Sequence, residues 1–166
     1  MKFTEEILKQ IKYVILDADA LNSFQHKTKK LLKYLDKFKL ITPHKKEFHR
    51  LFPSIKMSLE DKKKVLSFIK LCKSNILLKG NTTFIGSNKK IIKNTHSSSE
   101  LAVIGSGDVL AGIIASLVGD NKMSIIEAAA AAAWLHGDIA RKYGKGLISE
   151  DLIKGIQSGL ERLAKK

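Results

Sequence analysis

Gly105-Ser106-Gly107-Asp108, running straight into Val109-Leu110-Ala111-Gly112-Ile113-Ile114, is the segment whose residue types most directly imply chemistry. Two glycines let the backbone turn sharply and come close to a ligand. The helix expected after them presents unsatisfied N–H groups and the positive end of its dipole, a pairing that attracts phosphate. A carboxylate in that place repels the same phosphate, so Asp108 makes sense there as a base that takes a proton from an attacking hydroxyl. The tetrapeptide alone fits equally well an Asp N-cap behind a Gly-rich turn.

Three further polar clusters each follow a short apolar run. Val14-Ile15-Leu16 leads into Asp17-Ala18-Asp19-Ala20-Leu21-Asn22, Ile41 into Thr42-Pro43-His44 with Glu47 close behind, and Leu77-Leu78 into Lys79-Gly80-Asn81-Thr82-Thr83. If the runs are parallel strands, all three clusters lie on one sheet edge, and ligands of such sheets bind beyond the carboxyl ends of the strands. Each residue also has a plain structural reading. Lys79 can extend along a strand end, His44 can cap the helix after Pro43, Glu47 can be a solvated helix residue, and His136 can be a satisfied core histidine. Asp17 and Asp19 are read as shaping the sheet edge.

The elements that must position these residues follow from periodicity. Phe3, Ile7 and Ile11 keep helical spacing, with Thr4 as N-cap, and Tyr13 to Leu16 reads as a buried strand. An amphipathic helix is expected from Lys27 through Leu31, Leu32, Leu35 and Phe38, then a strand over Leu40 to Thr42 and a short helix ending near Pro53. Ser58-x-x-Asp61 is a capping pattern for a helix through Val65, Leu66, Ile69 and Cys72. Ile76 to Leu78, Thr82 to Ile85 and Lys89 to Ile92 read as strands, the last two as a hairpin about Ser87-Asn88. Beyond the polar loop Asn94 to Glu100 the chain is mostly helical. Ser124 and Glu127 cap a helix through Ala128 to Ala133, and Ser149 caps a last one through Leu152, Ile153, Ile156, Leu160 and Leu163. Alternating strands and helices imply a mainly parallel sheet covered on both faces. No repeat or linker-like boundary interrupts the 166 residues, so one domain is expected over 1–166.

Composition narrows the classes. Hydrophobic residues make up 44% with two Pro, which places the chain among globular proteins. The single Cys72 excludes an internal disulfide and suits a reducing cytoplasm. Met1 to Gln10 carries Glu5 and Glu6 and does not read as a signal peptide, and Ile125 to Leu135 is too short to span a bilayer, so no membrane role is expected. The net charge of +14 invites a nucleic-acid reading. Against it, the cations are scattered and mostly Lys, without the Arg forks or basic-aromatic alternation of nucleic-acid modules, so no nucleic-acid partner is expected.

The four clusters together, in this order and spacing, resemble the ADP/ATP-dependent NAD(P)H-hydrate dehydratases. The matching residues are Asp17 to Asn22, Thr42-Pro43-His44 with Glu47 and Arg50-Leu51, Leu78-Lys79-Gly80 with Thr82-Thr83, and Gly105 to Ala115. Trp134-Leu135-His136-Gly137 and Gly146 to Leu152 are similar to the family as well, so the resemblance runs from about Tyr13 to Ile156. It implies a ribokinase-like fold, a three-layer α/β/α sandwich. It also implies that ADP or ATP, with Mg²⁺, drives dehydration of hydrated NADH or NADPH by phosphorylating the hydrate hydroxyl and eliminating the phosphate. Carried over by position, Asp108 is the catalytic base and touches the hydrate. Gly105, Ser106 and Gly107 hold the nucleotide phosphates, Lys79, Gly80, Asn81, Thr82 and Thr83 contact the adenine nucleotide, His44 contacts the hydrate, and Glu47 sits near Mg²⁺ through water.

The family pattern has Pro-Gly at Lys45-Lys46, a Gly-rich segment at Ser97 to Glu100 and a small residue at Ile104. It also includes an N-terminal region before the Asp17 motif, where this chain has Met1 to Leu16. The expectation is an N-terminally truncated fold, the C-terminal half of the family's domain, completed by a homo-oligomeric contact or a partner chain. Two other functions share these motifs: a vitamin-precursor kinase of the same fold, and a non-catalytic nucleotide-binding fragment.

Overall fold

The apolar triplet Val14–Leu16 forms the first strand, β1, in the computed structural model, which describes residues 2–72 and 74–164. Helix α1 (Lys2–Gln10) precedes it. The chain continues through α2 (Ala18–Asn22), α3 (Thr28–Leu32), β2 (Lys39–Ile41), α4 (Lys45–Leu51), α5 (Asp61–Cys72), β3 (Asn75–Leu78), β4 (Thr83–Gly86) and β5 (Ile91–Asn94). A 3-10 turn at Ser99–Leu101 leads to α6 (Ser106–Gly119), α7 (Ile125–Tyr143), α8 (Ser149–Lys154) and α9 (Ile156–Ala164). The strands make one sheet in the order β1-β2-β3-β4-β5. The first three are parallel, with Leu16 opposite Ile41 and Ile41 opposite Ile76, and β4 lies antiparallel beside β3. Two compact units result: Met1–Gly80 with Phe84–Lys93, and Asn81–Thr83 with Asn94–Lys166.

In the first unit β2 and β3 are buried along their whole length, as parallel strands covered on both faces should be. The core is aromatic: Phe24, Phe48, Phe52 and Phe68 are fully buried, and the Phe52 and Phe68 rings meet edge to face with centroids 5.0 Å apart. Buried Asn75 donates Nδ2 to the carbonyls of Lys37 and Lys39, both at 2.9 Å, tying the start of β3 to β2.

Three expectations for this unit are corrected. In α1 Leu8 and Glu5 are buried, whereas Phe3 is 76% exposed and Ile7 half-buried. Glu5 is drawn inward by Lys30 Nζ at 2.7 Å and the Tyr34 hydroxyl at 3.2 Å, and Thr4 lies within the helix rather than capping it. Helix α3 ends at Leu32, and Leu35 reaches the core from the following turns. Ser58 lies three residues ahead of Asp61, where α5 begins, so it is not the cap of that helix.

The second unit is built on α7. Ser124 caps it as expected, accepting the Glu127 N–H. Ala128, Ala129 and Ala132 are fully buried, and small side chains let neighbouring helices approach closely. The expected final helix is broken at Gly155 into α8 and α9. Gly155 and Gly159 lie against Ile139 and Leu135 of α7: an added Cβ would come within 2.4 Å of Ile139 Cγ2 and 2.5 Å of Leu135 Cδ1. Ile148, not Ser149, occupies the N-cap position of α8, its N–H donating to Asp151 Oδ2. Among the described residues no helix is long and apolar enough to cross a membrane.

Candidate active site

Parallel pairing of β1, β2 and β3 brings Asp17, Thr42-Pro43-His44 and Lys79 to one edge of the first unit. The Thr42 N–H and hydroxyl both donate to the Leu16 carbonyl, at 3.0 and 3.1 Å. The Lys79 N–H donates to Pro43 O at 2.9 Å, which extends the β2–β3 ladder past the strand ends as a bridge between His44 and Lys79. The Lys79 ammonium is 2.7 Å from Asp17 Oδ1, a half-buried ion pair that aims the cation along the edge.

His44 caps α4, as its plain reading has it. Its Nδ1 accepts the N–H groups of Lys46 and Glu47 at 3.1 and 3.2 Å, and Glu47 Oε2 returns a bond to the His44 N–H at 2.8 Å. A ring nitrogen that accepts backbone N–H is unprotonated, so in the neutral ring Nε2 carries the hydrogen. That nitrogen lies 3.5 Å from Glu47 Oε1 on an exposed side chain. Glu47 itself is buried. Lys45 reaches Asp61 at 2.9 Å, and Lys64 reaches the same carboxylate at 3.0 Å. Burial would raise the Asp61 carboxyl, but the two ammonium groups outweigh it and hold it below its ordinary value.

The second unit carries the glycine turn. Gly105 has φ +82°, the left-handed conformation that glycine adopts at no steric cost. The first helical bond of α6 runs from Val109 N–H to Gly105 O, so the N–H groups of Gly107 and Asp108 precede the ladder, where an anion can take them. Asp108 is exposed at this end. It borders a groove of about 490 Å³ lined mainly by apolar side chains, among them Val109, Ile113, Leu117, Leu135 and Ile156. Ile104, 98% exposed, stands beside the turn. Asn81, Thr82 and Thr83 also belong to this unit, Asn81 exposed and Thr83 buried.

A sequence model of the family described as NAD(P)H-hydrate dehydratase matches residues 1–157. This chain belongs to the NAD(P)H-hydrate dehydratase family. An ADP-dependent (S)-NAD(P)H-hydrate dehydratase of Neisseria meningitidis is 37% identical over 157 residues, 90% of this chain and 49% of that protein. The chain thus spans about half the length of that relative. Among solved structures, a ribokinase-like superfamily protein of Enterococcus faecalis V583 superposes with TM-score 0.83 at 24% identity, over 97% of this chain and 57% of its own. An ADP/ATP-dependent NAD(P)H-hydrate dehydratase of Bacillus subtilis, co-crystallized with ATP/Mg²⁺, gives TM-score 0.74 at 23% identity, over 98% and 60%. The ribokinase-like α/β fold expected from the motifs is therefore the one observed.

Against the dehydratase family pattern, two contacts escaped the motif reading. Asp17, assigned to shaping the edge, holds Lys79; the signal was that both residues directly follow apolar runs, which prove to be the strands on either side of β2. His136 is buried, as expected of a core histidine, but its Nε2 lies 3.3 Å from Ser106 Oγ within the glycine turn.

Proposed function

We propose that this chain carries the nucleotide-handling and proton-transfer residues of an ADP- or ATP-dependent dehydratase acting on hydrated NADH and NADPH, with both units parts of one ribokinase-like domain over 1–166. The observation that carries the reading is Asp108 at the start of α6, behind the left-handed Gly105 turn, in a chain that matches this family along 157 residues.

In the reaction, the hydrate hydroxyl attacks the terminal phosphorus of the nucleotide. Asp108 takes the hydroxyl proton, a carbon–oxygen–phosphorus link forms, and the shortened nucleotide leaves. The carbon–oxygen bond then breaks with phosphate as the leaving group, and a proton lost from the adjacent carbon restores the ring double bond. The N–H groups of Gly107 and its neighbours in the Gly105-Ser106-Gly107 turn meet the phosphate charge as it moves. Lys79, oriented by Asp17, supplies a second counter-charge, and Gly80, Asn81, Thr82 and Thr83 shape the nucleotide contact. His44 presents Nε2–H to the hydrate, because its other nitrogen is taken by the α4 cap.

A divalent cation neutralises phosphate charge in such transfers. Mg²⁺ is commonly held by one or two carboxylates together with substrate phosphates rather than in an all-protein cage. Glu47, one oxygen already accepting the His44 N–H, suits contact through water. Further polypeptide completing the hydrate site, from a second copy or a partner chain, accords with the chain's spanning half of its relative. A cytoplasmic location accords with the single cysteine.

The test is recovery of NADH absorbance from hydrated NADH with ADP or ATP and Mg²⁺. Turnover should fall about 10²- to 10⁴-fold in Asp108→Asn, the range of a general base. Undiminished turnover in that variant would remove Asp108 from the mechanism, and a stable phosphorylated product would point to a kinase.

A further inference from the structure

One stretch of α7, Trp134 to Asp138, touches both segments that lead into Asp108. His136, 5% exposed, places Nε2 3.3 Å from the Oγ of Ser106, which is buried as well. Ser106 is the first residue of α6 and sits between Gly105, at φ +82°, and Gly107. Beside His136, Gly137 lies so close to the loop before the turn that a Cβ there would come within 1.8 Å of the His96 carbonyl oxygen. The His96 ring stacks on Trp134, centroids 4.8 Å apart and planes within 9°. Its Nε2 is 3.3 Å from Asp138 Oδ1, and Arg162 grips Oδ2 of the same carboxylate through Nε at 2.9 Å and Nη2 at 2.6 Å.

We infer that His136 is a positioning residue for the glycine turn: its hydrogen bond to Ser106 Oγ sets the rotation of the first turn of α6, and with it the aim of the Gly107 N–H and of Asp108. The catalytic consequence rests on the function proposed above; the geometric part does not. A helix that starts between two glycines has little backbone stiffness of its own at that point. Filling the space would not require a polar pair, because apolar groups of matching shape in place of both partners cost little. What the imidazole adds is direction: a buried hydrogen bond tolerates little rotation of its hydroxyl partner. The clamp on His96 fixes the other end of the lead-in, so His136 works against an anchored loop.

A double-mutant cycle with a structural readout tests this. In His136→Leu and in Ser106→Ala, amide hydrogen exchange at Val109, whose N–H donates to Gly105 O, should accelerate about tenfold, the upper end of what one neutral hydrogen bond contributes. His136→Gln, which keeps a polar group on Ser106, should recover most of the protection. Titration with ADP and Mg²⁺ should show about a tenfold weaker Kd in each single variant and no further loss in the double, since one shared bond is lost only once. Losses that multiply, or exchange at Val109 unchanged in both single variants, would overturn the inference. Should His136→Leu fail to fold, Ser106→Ala removes one oxygen and gives the same exchange readout. Wild-type protein that binds no ADP, with exchange still accelerated by Ser106→Ala, would remove the functional reading and leave the positioning role standing.

Discussion

The placement of Asp108 in the first turn of α6, behind a glycine turn, was legible from sequence because glycines, carboxylate and helix start are consecutive. Lys79 and Asp17 are 62 residues apart, and their 2.7 Å pair exists because β1 and β3 both run parallel to β2 and end at the same edge of the sheet. No spacing rule finds such a pair. Asp17→Asn keeps the shape but drops the charge, so Lys79 should lose its aim, and ADP affinity measured by calorimetry should fall on the order of tenfold. Cys72 is partly buried against the core. Burial pushes its thiol up to about 11, so at pH 8 it should react with a disulfide reagent far more slowly than free cysteine. Asp138 is pulled the other way: burial alone would raise it, and Arg162 with His96 more than reverses that. A carboxylate depressed in the folded state stabilises the fold above its unfolded pKa, and that contribution disappears as pH falls through the folded value. Arg162→Met should therefore move the acid-unfolding midpoint to higher pH, followed by circular dichroism.

At the scale of elements, periodicity located most strands and helices but left open which side of a helix faces inward. Phe3, Ile7 and Ile11 are a regular apolar stripe, yet α1 turns Glu5 inward because Lys30 and Tyr34 are there to receive it. The break between α8 and α9 was hidden for a related reason. Gly155 and Gly159 read as weak helix positions in an otherwise periodic run, and their packing against Ile139 and Leu135 depends on α7. The α4 cap, by contrast, was written in Pro43-His44 and the Glu three places on. Glu47→Ala should cost about 1 kcal/mol in urea unfolding, the worth of a helix cap. Gly137→Ala should cost more, about 3 kcal/mol, because its added methyl would meet backbone at His96 rather than a side chain free to move.

For the whole molecule, fold class was the most secure inference, since three short apolar runs separated from one another by helices leave few arrangements besides a parallel-led sheet. The two compact units were not legible. Their junctions fall between Gly80 and Phe84 and between Lys93 and Asn94, where no run of Gly, Ser or Pro marks a boundary. The net charge of +14 belongs to this scale too. Spread over the surface it should speed encounter with anionic nucleotides without choosing among them. The association rate of ADP measured by stopped flow should drop as salt rises from low to physiological ionic strength, where the screening length shrinks to about 8 Å.

The alanine block of α7 also leaves a mark on the mutations the chain can accept. Ala128, Ala129 and Ala132 are sealed against neighbours, whereas Ala130 and Ala131 keep some solvent contact. Six identical letters thus conceal a pattern. In a library carrying every substitution at these positions, survivors should rise and fall along the block with the turn of the helix, and the outward alanines should be the first to drift.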